Sequence, residues 1–419
     1  MRIFRKKKVG YGWWVSLAGG FNMVISSGPT FQASSTLFRA IEDEFGWSRA
    51  MVSGVASFGR FGGALLGPLE GWLCDKFGPG KMVLIGLILG GIGLLLFSKI
   101  DNPIEYYITF FILSLGFSIG GFVPSIVSVN LWMNKFKATG MAMVIGGSSL
   151  SGLLVPLIIW GITIYGWRPT FFFIGIISII FAPILSKIIG KKPPKNIEET
   201  EINKTKIYKN KDFTVSEAIK TKAFWSLSIS HALVNFSVGA MSAHIFLHLT
   251  DVNGVNLSPQ QSGLVMSLTA ISAFSFQILG GTLGDKLNKR ILLPLFIFTQ
   301  GIALVIIMNA ENILVACIFS IVWGIGFGSR TPIFHAIRGE YFGKKHFGTI
   351  SGLAAFPMAL SMMISPVIVG LSYDKTGSYE SSFLIMISLC IIACVTTVSY
   401  THLRAHETDS YLVCRLLLE

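Results

Sequence analysis

Gly71-Trp-Leu-Cys-Asp75-Lys76-Phe-Gly78-Pro-Gly-Lys81 and Gly281-Thr-Leu-Gly-Asp285-Lys286-Leu-Asn288-Lys289-Arg290 are one element written twice, 210 residues apart. Each has a glycine, an Asp-Lys pair four residues on, further basic residues, and an apolar run on either side. Glycine lets neighbouring helices approach closely. The acidic and basic side chains mark the point where the chain leaves an apolar environment. A charge at that point can also meet basic residues or a facing helix terminus and hold one arrangement of the helices.

Working outward from this pair, other residues recur at nearly the same offset. Trp14 returns as Trp225, Ser48 as Ser258, Pro124 as Pro332 and Pro156 as Pro366. The chain therefore contains two similar halves in the same orientation. In a membrane such parallel repeats are related by an axis along the membrane normal, with the substrate site at their interface.

The apolar runs set the helix count. About 20 apolar residues span a hydrocarbon core as a helix. Runs of that kind lie near 11–35, 48–73, 81–98, 104–130, 138–163 and 168–190, and again near 222–248, 259–283, 291–308, 312–337, 347–371 and 380–400. Of 419 residues, 52% are hydrophobic and 13% charged, whereas a soluble domain carries roughly 25% charged residues. The expected fold is all-α and integral to the membrane: twelve transmembrane helices in two pseudo-symmetric six-helix bundles. The first run is too long for a cleavable signal peptide, and another comes directly after it.

Lys and Arg fix the orientation. On one side fall Arg2 to Lys8, Lys76 and Lys81, Lys135 and Lys137, ten lysines from Lys187 to Lys222, Lys286 to Arg290, and Arg338 to Lys345, 25 residues in all. The opposite loops hold only Arg39, Arg49, Lys99, Arg168 and Lys375. Both termini are therefore expected in the cytoplasm, with the protein multi-pass in the cell (cytoplasmic or inner) membrane. The net charge of +13 needs no nucleic acid to explain it, since anionic lipid suffices.

Residues 1–190 form the first bundle, 191–221 a polar cytoplasmic linker, 222–400 the second bundle and 401–419 a tail. Thr214 to Glu217 fits a helix capping box, so the linker is expected to end in a short helix. The tail drops lysine and gathers His402, Arg404, His406 and Glu407; it reads as a cytoplasmic tail or a non-native end. Cys74, Cys317, Cys390, Cys394 and Cys414 make no CxxC pair, so neither metal nor disulfide is expected. Gly324, Gly326 and Gly328 lie in an apolar helix and not after a strand, so they are no nucleotide fingerprint. No P-loop, HExxH or paired carboxylate occurs, and the chain is expected to be neither an enzyme nor a cofactor protein.

The duplicated element fits the loop motif of the major facilitator superfamily, G-x3-D-[KR]-x-G-x-[KR], although Asn288 replaces its glycine in the second copy. Further segments resemble the monocarboxylate transporter and oxalate/formate antiporter branch: Gly12-Trp-Trp-Val15, Gly46-Trp-Ser-Arg49, Ser216 to Trp225, Tyr341-Phe-Gly343 to Gly352, and Tyr373-Asp-Lys-Thr-Gly377-Ser-Tyr379. The resemblance covers about residues 10 to 400. It implies the major facilitator fold and transport of a small carboxylate. The branch's substrate residues do not carry over. Ser272 and Phe276 stand where animal monocarboxylate transporters have an Asp and an Arg, and residues 347–371 contain no lysine.

Charges inside the runs are the functional candidates, because a central arginine costs roughly 2.5–3.5 kcal/mol to insert. Arg60 lies twelve residues into the second run and fifteen before Asp75, about 18 Å and about 22 Å from its ends. Arg330 lies eight residues before Arg338, about 12 Å along a helix. Neither has an acid at its own depth, since Glu70 sits near the cytoplasmic mouth. A substrate carboxylate would supply the missing charge; a structural arginine bonding backbone carbonyls is the competing role. His231 could carry a coupling proton or sit satisfied in the core. Asn22 and Asn235 could bond substrate or glue helices together. The small residues at 146–152 favour close packing.

The expected function is secondary active transport of a small carboxylate by alternating access, coupled to a proton or a counter-anion. Arg60, Arg330, His231, Asn22 and Asn235 are the substrate-site candidates. Gly71, Asp75, Lys76, Gly281, Asp285 and Lys286 are the gating candidates. A monomer is expected. Efflux of an amphiphilic drug, or a non-transporting sensor on the same fold, are the alternatives.

Overall fold

A computed structural model describes residues 10–28, 34–47, 49–193 and 212–397. The basic N-terminus, Ser48, the middle of the linker and the tail after residue 397 lie outside the described residues, as does the Arg60 side chain. The elements are α1 (Tyr11–Ser27), α2 (Ser34–Phe45), α3 (Arg49–Phe77), α4 (Pro79–Phe97), α5 (Pro103–Trp132), α6 (Lys137–Tyr165), α7 (Trp167–Ile189), α8 (Val215–Lys220), α9 (Lys222–Thr250), α10 (Pro259–Lys286), α11 (Lys289–Met308), α12 (Ile313–Tyr341), α13 (Phe347–Thr376) and α14 (Glu380–Thr397). Ten of these, α4 to α7 and α9 to α14, are long and apolar enough to cross a membrane. With α1 and α3 they make the twelve helices expected. Trp14, Ile104, Leu264, Ile291, Leu314 and Val367 face outward with more than half their surface exposed, a perimeter suited to lipid rather than water.

The first run differs from its expected extent. α1 stops at Ser27 with Gly28 at its C-cap, and a separate helix, α2, begins at Ser34. α2 carries Glu42, Asp43 and Glu44 near its end, so it belongs to the polar margin and not to a spanning run.

The described residues fall into two compact units, the first within Met1–Gly59 and Leu73–Lys209, the second within Arg60–Trp72 and Asn210–Glu419. In the first, Phe97 gathers Tyr106, Trp167 and Phe171 at ring separations of 5.7, 5.8 and 6.1 Å. Glycines set the helix approaches: Gly86 on α4 lies against Gly116 and Gly120 on α5, and Gly147 on α6 against the backbone of Gly20 on α1. No side chain fits at Gly147, the close packing expected of 146–152. α5 breaks at Gly121, and the Asn22 amide closes the gap by donating to the carbonyls of Gly120 (2.7 Å) and Gly121 (3.2 Å) and to Ser125 Oγ (3.0 Å).

In the second unit α9 packs along α13, and α10, α11 and α12 pack together. The Arg60–Trp72 stretch of α3 groups here, and its Gly71 meets the backbone of Gly348 on α13 with no room for a side chain. α12 is interrupted by a π turn at Gly324–Gly328. Its three glycines press on Ser272 and Ala273 of α10 and on Gln300 of α11, where no Cβ fits. The extra residue in a π turn rotates the rest of the helix by about 100°, and Pro332 removes one more amide from the ladder. The rotated segment carries Arg330, Phe334, His335 and Arg338, all buried. α8 opens on the expected capping box, Thr214 with Glu217.

Candidate functional site: buried arginines beside His231

Arg330 has no exposed surface. Its Nε donates to Gln300 Oε1 at 2.5 Å, and Nη1 and Nη2 have no hydrogen-bond partner among the described residues. Gln300 is held in turn, its amide donating to Ser237 Oγ (2.8 Å) and to the Val234 carbonyl (3.3 Å) on α9. The guanidinium lies 5.4 Å from the Phe327 ring and 6.0 Å from Phe334. A buried charged donor without an acceptor costs more than the roughly 1–3 kcal/mol of a neutral one. The aromatic faces offset part of that, about 2 kcal/mol at best when desolvated. Because Nε is engaged, the pair left open is the end-on fork of Nη1 and Nη2, which matches the two oxygens of a carboxylate.

His231 stacks on the same Phe334 ring at 4.4 Å. Its Nδ1 lies 3.1 Å from Arg338 Nη2, and its ring stands 5.8 Å from that of His335. Arg338, which the loop pattern counts among cytoplasmic cations, is instead 1% exposed. Its Nε and Nη1 have no partner among the described residues. Two guanidinia eight residues apart on α12 thus each keep two donor atoms open inside the second unit. Arg338, His335 and Gln300 are the residues that sequence reasoning missed. For the two on α12 the available signal is the glycine run of the π turn, which re-aims the helix beyond it.

The structure brings Arg330 and His231 together around Phe334. Asn235 sits one turn beyond His231 and donates to its carbonyl (2.7 Å), a bond within its own helix. Asn22 lies in the first unit, at the α1–α5 junction. Arg60 begins the α3 stretch that groups with the second unit.

Of the gating candidates, Gly71 makes the backbone approach to α13, and Lys76 lies 5.4 Å over the Phe77 ring. Asp75 lies four residues beyond Gly71 on α3, and Asp285 and Lys286 close α10, whose Gly281 is buried. The two loops differ at Asn288. Gly78 takes φ +86° before Pro79 opens α4, whereas Asn288 keeps φ −69° and caps α11 by accepting from the Arg290 amide (3.0 Å). Asn288 thus starts the helix by side-chain capping where Gly78 does so by a backbone conformation that favours glycine. Lys289 then pairs with Glu340 at the end of α12 (2.9 Å).

A second group of titratable residues sits at the far end of α9. His244 bonds the Pro366 carbonyl (2.9 Å) and Tyr379 (3.3 Å), and His248 bonds the Ile307 carbonyl (3.1 Å). In the loop beyond, Asp251 accepts from the Tyr373 hydroxyl (2.5 Å), which holds its carboxyl below the usual carboxylate range.

The family model described as Major Facilitator Superfamily matches residues 15–258 and 249–410. Monocarboxylate transporter 13 of Rattus norvegicus is 22% identical over 379 residues, covering 90% of this chain and 86% of its own. The hexuronate transporter of Bacillus subtilis is 21% identical over 425 residues, covering 95% and 96%. Among solved structures, the E. coli fucose:proton symporter FucP superposes with a TM-score of 0.71 at 12% identity, over 94% of this chain and 99% of that one, a likeness of fold. The duplicated loop element, the twelve helices and the family match over nearly the whole chain lead to one assignment: the protein belongs to the Major Facilitator Superfamily.

Proposed function

We propose that the protein is a secondary transporter that moves a small carboxylate anion across the cytoplasmic membrane by alternating access, with both termini in the cytoplasm. One observation carries this reading. Arg330 is fully buried, is tethered through Nε alone, and offers an open two-donor fork. An arginine serving only as a structural clamp would spend those donors on carbonyls or carboxylates of its own protein. The names of the relatives point the same way, toward monocarboxylates and hexuronates. Arg60 is assigned the matching role on α3.

The test is uptake into proteoliposomes of radiolabelled lactate, pyruvate, formate and oxalate, with larger acids as competitors. Saturable uptake of at least one acid is expected. If none is taken up or competes and a lipophilic cation is exported instead, drug efflux replaces this reading.

Gating is assigned to the duplicated loop element. Asp75 and Asp285 stand at helix ends, so Asp75→Asn and Asp285→Asn are expected to slow turnover several-fold and leave equilibrium binding nearly unchanged. Uptake rates set beside Kd for the same variants decide the point. A wild-type rate in Asp75→Asn removes the latch from that half.

A further inference from the structure

Arginine has five N–H donors and no acceptor. The 3.1 Å contact between Arg338 Nη2 and His231 Nδ1 therefore requires a lone pair on Nδ1, and His231 is the neutral tautomer protonated at Nε2. A proton arriving at Nδ1 would set N–H against N–H and place two cations in contact, so the proton and the Arg338 bond exclude each other. Arg338 meanwhile keeps Nε and Nη1 open, so it can take an anion only by gaining contacts, and it can turn fully toward one only by leaving His231.

We propose that His231 and Arg338 form the proton-coupling pair of this transporter. When Arg338 turns to a substrate carboxylate, its bond to His231 Nδ1 breaks and a proton from solvent forms an N–H there; when the anion departs, that proton is released and the bond re-forms. Charge balances at one proton per monoanion. The inference rests on the carboxylate reading above, and it adds the coupling ion and a positioning role for Arg338.

The surroundings of His231 set the sign. Among the described residues, the charged and titratable groups around it come from α12: Arg338 against its Nδ1, His335 beside its ring, and Arg330. α11 contributes the neutral Gln300 to this region. Around the flanking residues, α13 supplies the Ser361 hydroxyl to the Ala232 carbonyl (2.7 Å), and α14 accepts from Ser230 at the Ala393 carbonyl (3.0 Å). A proton on His231 thus joins positive charge already in place, and an anion must come with it. By linkage, whatever factor the anion adds to proton affinity the proton adds to anion affinity. Anion binding should tighten as pH falls, by up to about tenfold per pH unit for one linked proton.

Two arms test this. In calorimetry, lactate or oxalate is titrated into the purified transporter in two buffers of different ionisation enthalpy, which counts protons taken up per anion. Wild type should take up close to one. His231→Gln keeps an acceptor for Arg338 but cannot titrate; it should bind the same anion with no proton uptake and a flat pH profile. Undiminished uptake in His231→Gln overturns the proposal.

The second arm needs no anion. By 15N NMR of histidine-labelled protein, the His231 signal (the one missing in His231→Gln) should show the Nε2–H form in wild type. Arg338→Met should raise the pH at which His231 protonates, and Arg338→Lys, which keeps a charged donor, should restore the wild-type midpoint. A midpoint indifferent to Arg338, or an Nδ1–H tautomer in wild type, overturns the pairing whatever the anion result. Failure of both probes to bind at any pH, with Arg330→Gln inert, counts against the carboxylate reading, and the NMR arm still decides the pair.

Discussion

Arg330→Gln is expected to weaken binding of the transported carboxylate roughly ten- to a hundredfold in a protein that still inserts and folds. The substitution keeps two donor hydrogens but removes the charge and the planar fork. A hydrogen bond to a charged group is worth about 1.5–3 kcal/mol, and every 1.4 kcal/mol is about tenfold in Kd. Arg60→Gln is expected to show at least the lower end of the same loss. Arg60→Lys separates charge from geometry, because lysine keeps the charge as a single flexible point and loses the bidentate fork. It should bind more weakly than wild type and more tightly than Arg60→Gln. Tryptophan quenching or calorimetry on the purified variants gives the affinities. If both glutamine variants bind the anion as tightly as wild type, the arginines are structural and the anion-carrier reading loses its physical support.

The membrane fold is legible in the sequence because a bilayer leaves so little choice. Every backbone amide at depth must be satisfied within the segment, so run length alone locates most helices. The repeat of Gly71 and Asp75 as Gly281 and Asp285 then divides the chain. Run length overshoots the end of α1 because it ignores Gly28-Pro29, a pair that punctuates helices. Asn288 illustrates the converse: a residue that breaks a motif's spelling preserves its structural task by another chemistry, a side-chain cap in place of a left-handed glycine.

The site is half legible. A charge or a histidine in an apolar run stands out, as Arg330 and His231 both do. Arg338 does not, because position along a run measures depth and says nothing of the face a residue occupies. The π turn at Gly324–Gly328 changes that face for the rest of α12, and Arg338 is carried inward onto His231. Gln300 looks like an ordinary polar residue in an apolar helix, although it is the only acceptor Arg330 has among the described residues. Asn235 shows the limit in the other direction. Its depth suggests a cavity, and its amide is spent one turn back on its own helix.

Gln300 carries the other large effect. Gln300→Leu nearly preserves volume, so the packing of α11 against Gly326 should survive, but Arg330 then has no acceptor at any nitrogen among the described residues. Removing one partner of a buried charge is expensive, of order 3–5 kcal/mol for an ion pair and somewhat less here, where the lost partner is a neutral amide. The Val234 carbonyl and Ser237 lose a donor as well. The variant should unfold several degrees below wild type. The informative step is the second substitution. If Arg330 is held at a cost for the sake of its substrate, replacing it by methionine in the Gln300→Leu background should return much of the lost stability, since an apolar pair of similar shape needs no acceptor. Arg330→Met alone leaves only the neutral Gln300 Oε1 without its donor, so it should lose less thermal stability than Gln300→Leu while losing anion binding. Saturating lactate or oxalate, whichever is transported, should raise the melting temperature of wild type by mass action and leave Arg330→Met unmoved. A double-mutant cycle on unfolding should give a coupling of about 0.5–3 kcal/mol between the two positions. Additive losses, with Arg330→Met as damaging as a core cavity, would show that the arginine is there to hold α11 and α12 together, and its open fork would then need another explanation.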